Sequence, residues 1–181
     1  ARILSIDVSK AEALQGVKAV VTSEDFEDFP SEFVPAGEMV VNMKDITRNV
    51  MAREKVLYVG HTVAAVAATD ESIAAKALAL IEVNYEVLPH VLEVEEAEKP
   101  DAPLLHDDMI TIGVEPTPTL ASNVAKRVEF GFGDVEKGFS EADLIIEKEF
   151  TTQQVHQGYI EPHACLASVS EDGQAELWCT T

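Results

Sequence analysis

The chain has 181 residues, 46% of them hydrophobic, and a formal net charge of −20 from 33 acidic and 13 basic residues. That length and apolar content suit a soluble globular chain able to bury a core, and no apolar run reaches the roughly 18 residues of a membrane-spanning helix. The acidic excess repels phosphate backbones and acidic lipid surfaces, so neither nucleic acid nor a membrane is an expected partner, and two cysteines are too few for a disulfide framework.

The chain begins "ARILSIDVSK", without an initiating Met or a basic head before an apolar core. It therefore reads as cut from something longer, with no signal peptide. In this stretch Ile3, Ser5 and Asp7 alternate with Leu4, Ile6 and Val8, the pattern of a half-buried strand. Ser9 and Glu12 have capping-box spacing, Gly16 stands where the short helix would stop, and "VKAVVT" resumes a strand. Ser23 is a second expected cap, and Pro30 a breaker. Residues 31–49 carry no clear period.

In "EKVLYVGHTVAAVAATD" two apolar runs, Lys55 to Val59 and Thr62 to Thr69, flank Gly60–His61, as in a hairpin or a bent strand. Asp70 caps the next helix, which places Ile73, Ala77, Leu80 and Ile81 on one face. "VNYEVLPHV" returns to strand and is ended by Pro89. The acidic, proline-bearing "EVEEAEKPDAPLLHDDM" and then "GVEPTPTLASN" read as connectors.

Beyond them, "AKRVEFGFGDVEKGFSEA" suggests a strand, a turn and a short helix capped by Asp134. "DLIIEKEFTTQQVHQGY" fits one long strand, with Leu144, Ile146, Lys148, Phe150 and Thr152 on one face. Asp172–Gly173 marks a hairpin turn in "ACLASVSEDGQAELWCTT", with Trp178 and Cys179 expected at the core face and rim of its second strand.

"VHQGYIEPHAC", residues 155–165, concentrates two histidines, a glutamate and a cysteine. His156, Glu161 and His163 lack the three- or four-residue spacing of helical metal ligands, and Gly158 and Pro162 oppose a helix. On a continued strand His156 and Glu161 would face opposite ways. A shared metal, zinc for a hydrolase included, needs a bend that the sequence does not require, so the stretch reads as a polar strand end. The loop "GFGDVEKG" has neither the Lys-Ser/Thr of a phosphate loop nor G-x-G-x-x-G spacing. His61 reads as a turn residue, and His106 with Asp107 and Asp108 as an exposed loop.

Three ordered stretches carry a resemblance: "EKVLYVGHTVAAVAATDESIAAKALALIEVNYEVLPHVLEVEEA", "SNVAKRVEFGFGDVEKGFSEADLIIEKEF" and "TTQQVHQGYIEPHACLASVSEDGQAELWCTT". Together they resemble the large, molybdenum-binding subunit of the xanthine dehydrogenase and aldehyde oxidase family. The resemblance implies an α+β fragment: an α/β hammerhead domain over 1–105, a linker over 106–121, and over 122–181 the incomplete start of a molybdopterin-binding domain.

It further implies a cytoplasmic, bacterial-type enzyme that hydroxylates a heterocycle or aldehyde carbon with water as oxygen source. Such an enzyme takes a small-molecule substrate and uses a molybdenum–pterin cofactor, with 2Fe-2S clusters and FAD in partner domains or subunits. The family's glutamine near the metal, a later Gly-rich loop and the catalytic glutamate fall outside this sequence. No residue here is therefore carried over as catalytic or as a metal ligand, and the fragment alone is expected to be inactive, without bound cofactor and prone to self-association through exposed apolar surface. Glu161 is the first candidate cofactor-side residue, as a hydrogen-bonding group behind the cofactor, with His156 and Gln157 as weaker candidates. The contrasting expectation is a stand-alone hammerhead-type binding or assembly module without redox activity.

Overall fold

The computed structural model describes residues 1–180, and within them every side chain but that of Met39. The chain forms two compact units, Ala1–Glu129 and Phe130–Thr181.

In the first unit, β1 (Arg2–Asp7) pairs antiparallel with β6 (Glu82–Glu86), and β2 (Val17–Thr22) pairs antiparallel with β5 (Ala64–Ala68). A register shift between Ile3 and Ser5 breaks the simple alternation of β1. Ile3 and Ile6 are consequently half-buried, while Leu4 is exposed. Helix α1 (Ser9–Glu12) starts without a side-chain cap from Val8; the carboxylate of Asp7 instead accepts the Ser9 N–H at 3.0 Å, replacing the expected Ser9 cap. Likewise Thr22, one residue before the expected Ser23, forms the capping box with Asp25.

Asp70 does cap α3 (Glu71–Leu78), its carboxylate accepting the Ile73 N–H at 3.0 Å. Ala77 lies fully buried with Ala11 and Val20, and Val66, Leu80 and Ile81 pack around them. The helix is shorter than the apolar period suggested. Leu80 and Ile81 reach the core from the tight turn that follows it, where their N–H groups donate to the carbonyls of Ala77 and Leu78. Gly16, at φ +98°, lets the loop after α1 pass close to this helix; a Cβ there would sit 2.6 Å from Ile73 Cδ1.

The stretch without a clear period holds a hairpin, β3 (Phe33–Ala36) with β4 (Met39–Asn42), followed by α2 (Met43–Val50). Asn42 caps α2 by accepting the Lys44 N–H at 3.1 Å. The expected strand over Lys55 to Val59 does not form; Lys55 makes only an isolated bridge to Arg2, and Gly60 turns the chain at φ +91°. A strand needs a neighbouring backbone to take its N–H and C=O groups, and apolar period does not supply one.

The proline-bearing connectors are folded against their surroundings. Each carries ordered contacts: α4 (Val94–Ala97) lies in the first, and Asn123 Nδ2 donates to the carbonyls of Ala97 and Pro103. Asn123 Oδ1 accepts the Leu105 N–H at 3.0 Å, and Thr111 Oγ1 donates to Val124 O at 2.7 Å. Gly113, at φ +84°, packs against the Arg127 carbonyl so closely that a Cβ would lie 2.2 Å from it.

In the second unit Asp134 caps α5 (Val135–Glu141) as expected, accepting the Lys137 N–H at 2.9 Å. The hairpin of β7 (Cys165–Val169) and β8 (Ala175–Cys179) turns through Asp172–Gly173, with Gly173 at φ +84°. The strands expected over residues 125–132 and 143–159 are absent, apart from a single bridge at Lys126. Among the described residues no second backbone pairs with 143–159, and its apolar side chains stand in solvent, Phe150 at 86% exposure. Trp178 is exposed as well, not on a core face, because none of the described residues of the unit covers that side of the hairpin.

Candidate functional site

In the polar stretch 155–165 Gly158 takes a φ of +72°, a left-handed conformation that suits glycine. The Gly158 N–H donates to His156 Nδ1 at 3.1 Å. Tyr159 then lies between the two histidines, its ring centroid 5.0 Å from His156 in a tilted contact and 5.2 Å from His163 edge-on. Its hydroxyl hydrogen-bonds His163 Nε2. Glu161 sits at a bend, exposed, and makes no hydrogen bond or ion pair among the described residues. Pro162 does not end a strand; it lies before β7, and its carbonyl accepts from Thr180 Oγ1 at 3.3 Å.

His156 and His163 are thus brought together around Tyr159, a residue not singled out from sequence although aromatic–histidine spacing of three and four residues was its visible signal. Glu161 and Gln157 do not join that hydrogen-bonded group. Among the described residues no group of three or more His, Cys, Asp or Glu side chains could hold a metal ion. His156 and His163 are metal-competent side chains, but no third ligand stands with them, and the groups of 156–163 are left with hydrogen bonding as their chemistry among the described residues. "GFGDVEKG" is an open turn leading into a seven-residue helix, without a phosphate cradle.

A second polar cluster lies wholly within the first unit. His61 is buried at 6% exposure. The Leu57 N–H donates to its Nδ1 at 3.2 Å, so the ring hydrogen sits on Nε2, which donates to the Arg48 carbonyl at 2.8 Å. That carbonyl is one of the otherwise unpaired groups at the end of α2. Tyr58 stacks on the ring at 4.6 Å.

From the other side of the same helix turn, Arg48 Nη1 and Nη2 reach the two carboxylate oxygens of Asp108 at 2.8 and 3.1 Å, and Lys44 joins at 2.5 Å. First the Arg48 hydrogen bonds and then the Lys44 contact hold the Asp108 carboxyl well below the usual carboxylate range. Asp107 pairs with Lys55 at 2.6 Å, and Asp28 lies 3.6 Å from Arg53. The "HDD" loop therefore takes protein cations as its partners. Sequence could not reveal this, because Arg48 and Asp108 are 60 positions apart. Each of the three carboxylates, Asp28, Asp107 and Asp108, is thus met by at least one of the four cations, which ties the loop to α2 and to the segment after it.

Residues 1–89 match the profile of the aldehyde oxidase and xanthine dehydrogenase a/b hammerhead domain. Residues 117–181 match that of the molybdopterin cofactor-binding domain. The chain is 34% identical to a probable hypoxanthine oxidase, XdhD, of Escherichia coli O157:H7, over 95% of this chain and 20% of that protein. It is 37% identical to the carbon monoxide dehydrogenase large chain of Afipia carboxidovorans, over 99% of this chain and 22% of that one. The structure superposes on reconstituted CO dehydrogenase from Oligotropha carboxidovorans with a TM-score of 0.77 and 35% identity, covering 99% of this chain and 22% of that chain. The sequence thus spans about a fifth of the length of the curated relatives it matches. No helix among the described residues is long and apolar enough to cross a membrane.

Proposed function

We propose that this chain, which belongs to the xanthine dehydrogenase and aldehyde oxidase family of molybdenum-binding large subunits, supplies its parent enzyme with two parts. One is the hammerhead domain over 1–105; the other is the opening part of the molybdopterin-binding domain over 122–181, joined by 106–121. The parent is a molybdenum hydroxylase acting on a heterocycle or aldehyde carbon of a small-molecule substrate, with water as oxygen source. Electrons leave through 2Fe-2S clusters to FAD in partner domains or subunits, in the cytoplasm, a setting that a chain with two free cysteines and no disulfide framework fits. The observation that carries this reading is the ordered pair of domain matches, hammerhead then cofactor-binding, within one chain.

The test is the intact mass and molybdenum content of the native gene product purified from its own cells. A chain much larger than 19.7 kDa that carries molybdenum is expected. A 19.7 kDa product without molybdenum would mean a stand-alone module and overturn the reading.

Within the parent, Glu161 is a hydrogen-bonding residue behind the cofactor. Its support is an unpartnered carboxylate at a bend of the stretch that also holds His156, Gln157 and Tyr159. Glu161→Ala in the complete enzyme is expected to lower molybdenum content or turnover by about tenfold or more, the usual cost of removing a group that orients a bound centre. Unchanged molybdenum content and turnover would remove Glu161 from the site.

A further inference from the structure

Cys165 opens β7 and Cys179 closes β8, and the register places them directly opposite each other. At the open end of the hairpin the Thr180 N–H donates to the Ala164 carbonyl at 3.1 Å; near the turn the Ser170 N–H donates to Gln174 O at 2.9 Å. The pairs 164/180 and 170/174 are therefore the hydrogen-bonded kind, and counting along the ladder makes 165/179 a non-hydrogen-bonded pair. Side chains of such a pair leave the sheet on one face, from Cα atoms about 4.5 Å apart. That spacing falls inside the roughly 4.4–6.8 Å over which a disulfide closes without moving the backbone.

The surroundings favour closure. The same face continues with Ala167 opposite Leu177 and Val169 opposite Ala175, none of which offers the thiols a competing hydrogen bond. Thr180 Oγ1 accepts the Ala164 N–H at 3.2 Å and donates to Pro162 O, which pins the strand ends beside the pair. Both thiols are free and exposed.

We infer that Cys165 and Cys179 form a redox-reactive thiol pair, a modification site at which low-molecular-weight disulfides drive a cross-strand disulfide. The thiolate of one cysteine attacks the small disulfide, forming a mixed disulfide and releasing one small thiol. The second cysteine's thiolate then attacks the protein sulfur and displaces the other small thiol. In balance, two protein thiols and one small disulfide become one Sγ–Sγ bond and two small thiols; the protein is oxidised by two electrons and the small disulfide is reduced. The bond would lock the register of the hairpin that follows the 155–165 stretch, and the inference holds whatever reaction the parent catalyses.

The test uses the complete protein as purified, equilibrated under native conditions in glutathione buffers of graded oxidation, then acid-quenched, alkylated and digested. The Cys165–Cys179 linked peptide is quantified by mass spectrometry, and the series is repeated in concentrated urea. Because the folded ladder holds the thiols together, the native series is expected to reach half-conversion at a ratio of squared glutathione to glutathione disulfide at least about tenfold higher than the urea series. Equal midpoints in the two series would overturn the inference. So would a native series yielding only glutathione adducts, bonds to other cysteines, or no linked peptide.

Discussion

The units Ala1–Glu129 and Phe130–Thr181 use the same vocabulary of alternating apolar residues, caps and glycine turns, with opposite results. In the first, those residues meet: Ala11, Val20, Met51, Ala52 and Ala77 are buried, and His61 and Thr111 are buried with their hydrogen bonds satisfied. In the second, among the described residues, no side chain is buried. Its helix has its cap and its hairpin has its turn, yet Phe130, Phe150, Ile160 and Leu166 stand in solvent. Local signals form local elements, but burial requires a second surface, and hydrophobic stabilisation scales with area removed from water.

His61→Ala should break the contrast most severely, because it deletes a buried ring and both of its backbone hydrogen bonds, one of them at the end of α2. A loss of about 2–4 kcal/mol in unfolding free energy is expected from the unpaired groups and the cavity, read as a lower urea midpoint. Gly113→Ala should follow, at about 1–3 kcal/mol, since its Cβ would strike the Arg127 carbonyl at positive φ. Proteolytic nicking between residues 105 and 127 would report that loss directly.

Asp108→Asn should cost only about 1 kcal/mol at neutral pH, because the carboxylate is half-exposed and the pairs are partly screened. The folded-state pKa of Asp108 lies below its unfolded value. Its contribution is therefore complete above the ordinary carboxylate range near about 4 and disappears as pH falls through the lower folded-state range. Urea midpoints of the parent chain and the variant should accordingly converge in strong acid. Ile160→Ser should be nearly silent in the same 181-residue chain, within about 0.5 kcal/mol, because a 98% exposed side chain loses no burial. A drop comparable to that of His61→Ala would show that the second unit packs after all.

Much of this was legible in the residues. Asp70 and Asp134 announced their helices by the cap rule, and Asp172–Gly173 its hairpin, since each depends on backbone geometry within four or five residues. Ser9 and Ser23 were each misplaced by a residue or two, because Asp7 and Thr22 offered the same chemistry nearby. The strands expected at Lys55–Val59 and 143–159 do not form for another reason: alternation describes a face and names no partner.

The candidate site divides along the same line. His156, Tyr159 and His163 lie within eight residues, so their proximity is a local matter, yet the reading as a strand end does not bring them together. The clamp of Arg48 and Lys44 on Asp108, and the seat of His61 beneath the end of α2, were not available from the sequence.

The sequence by itself determined the helix caps, the glycine turns, the acidic surface and the membership of a family, because these depend on neighbouring residues or on ordered similarity along the chain. Tertiary structure alone decided the bulge that turns Ile3 inward and the pairing of Asp108 across 60 positions. Each of these joins groups far apart in the chain, and such contacts form only where the fold has already met the entropy of bringing them together.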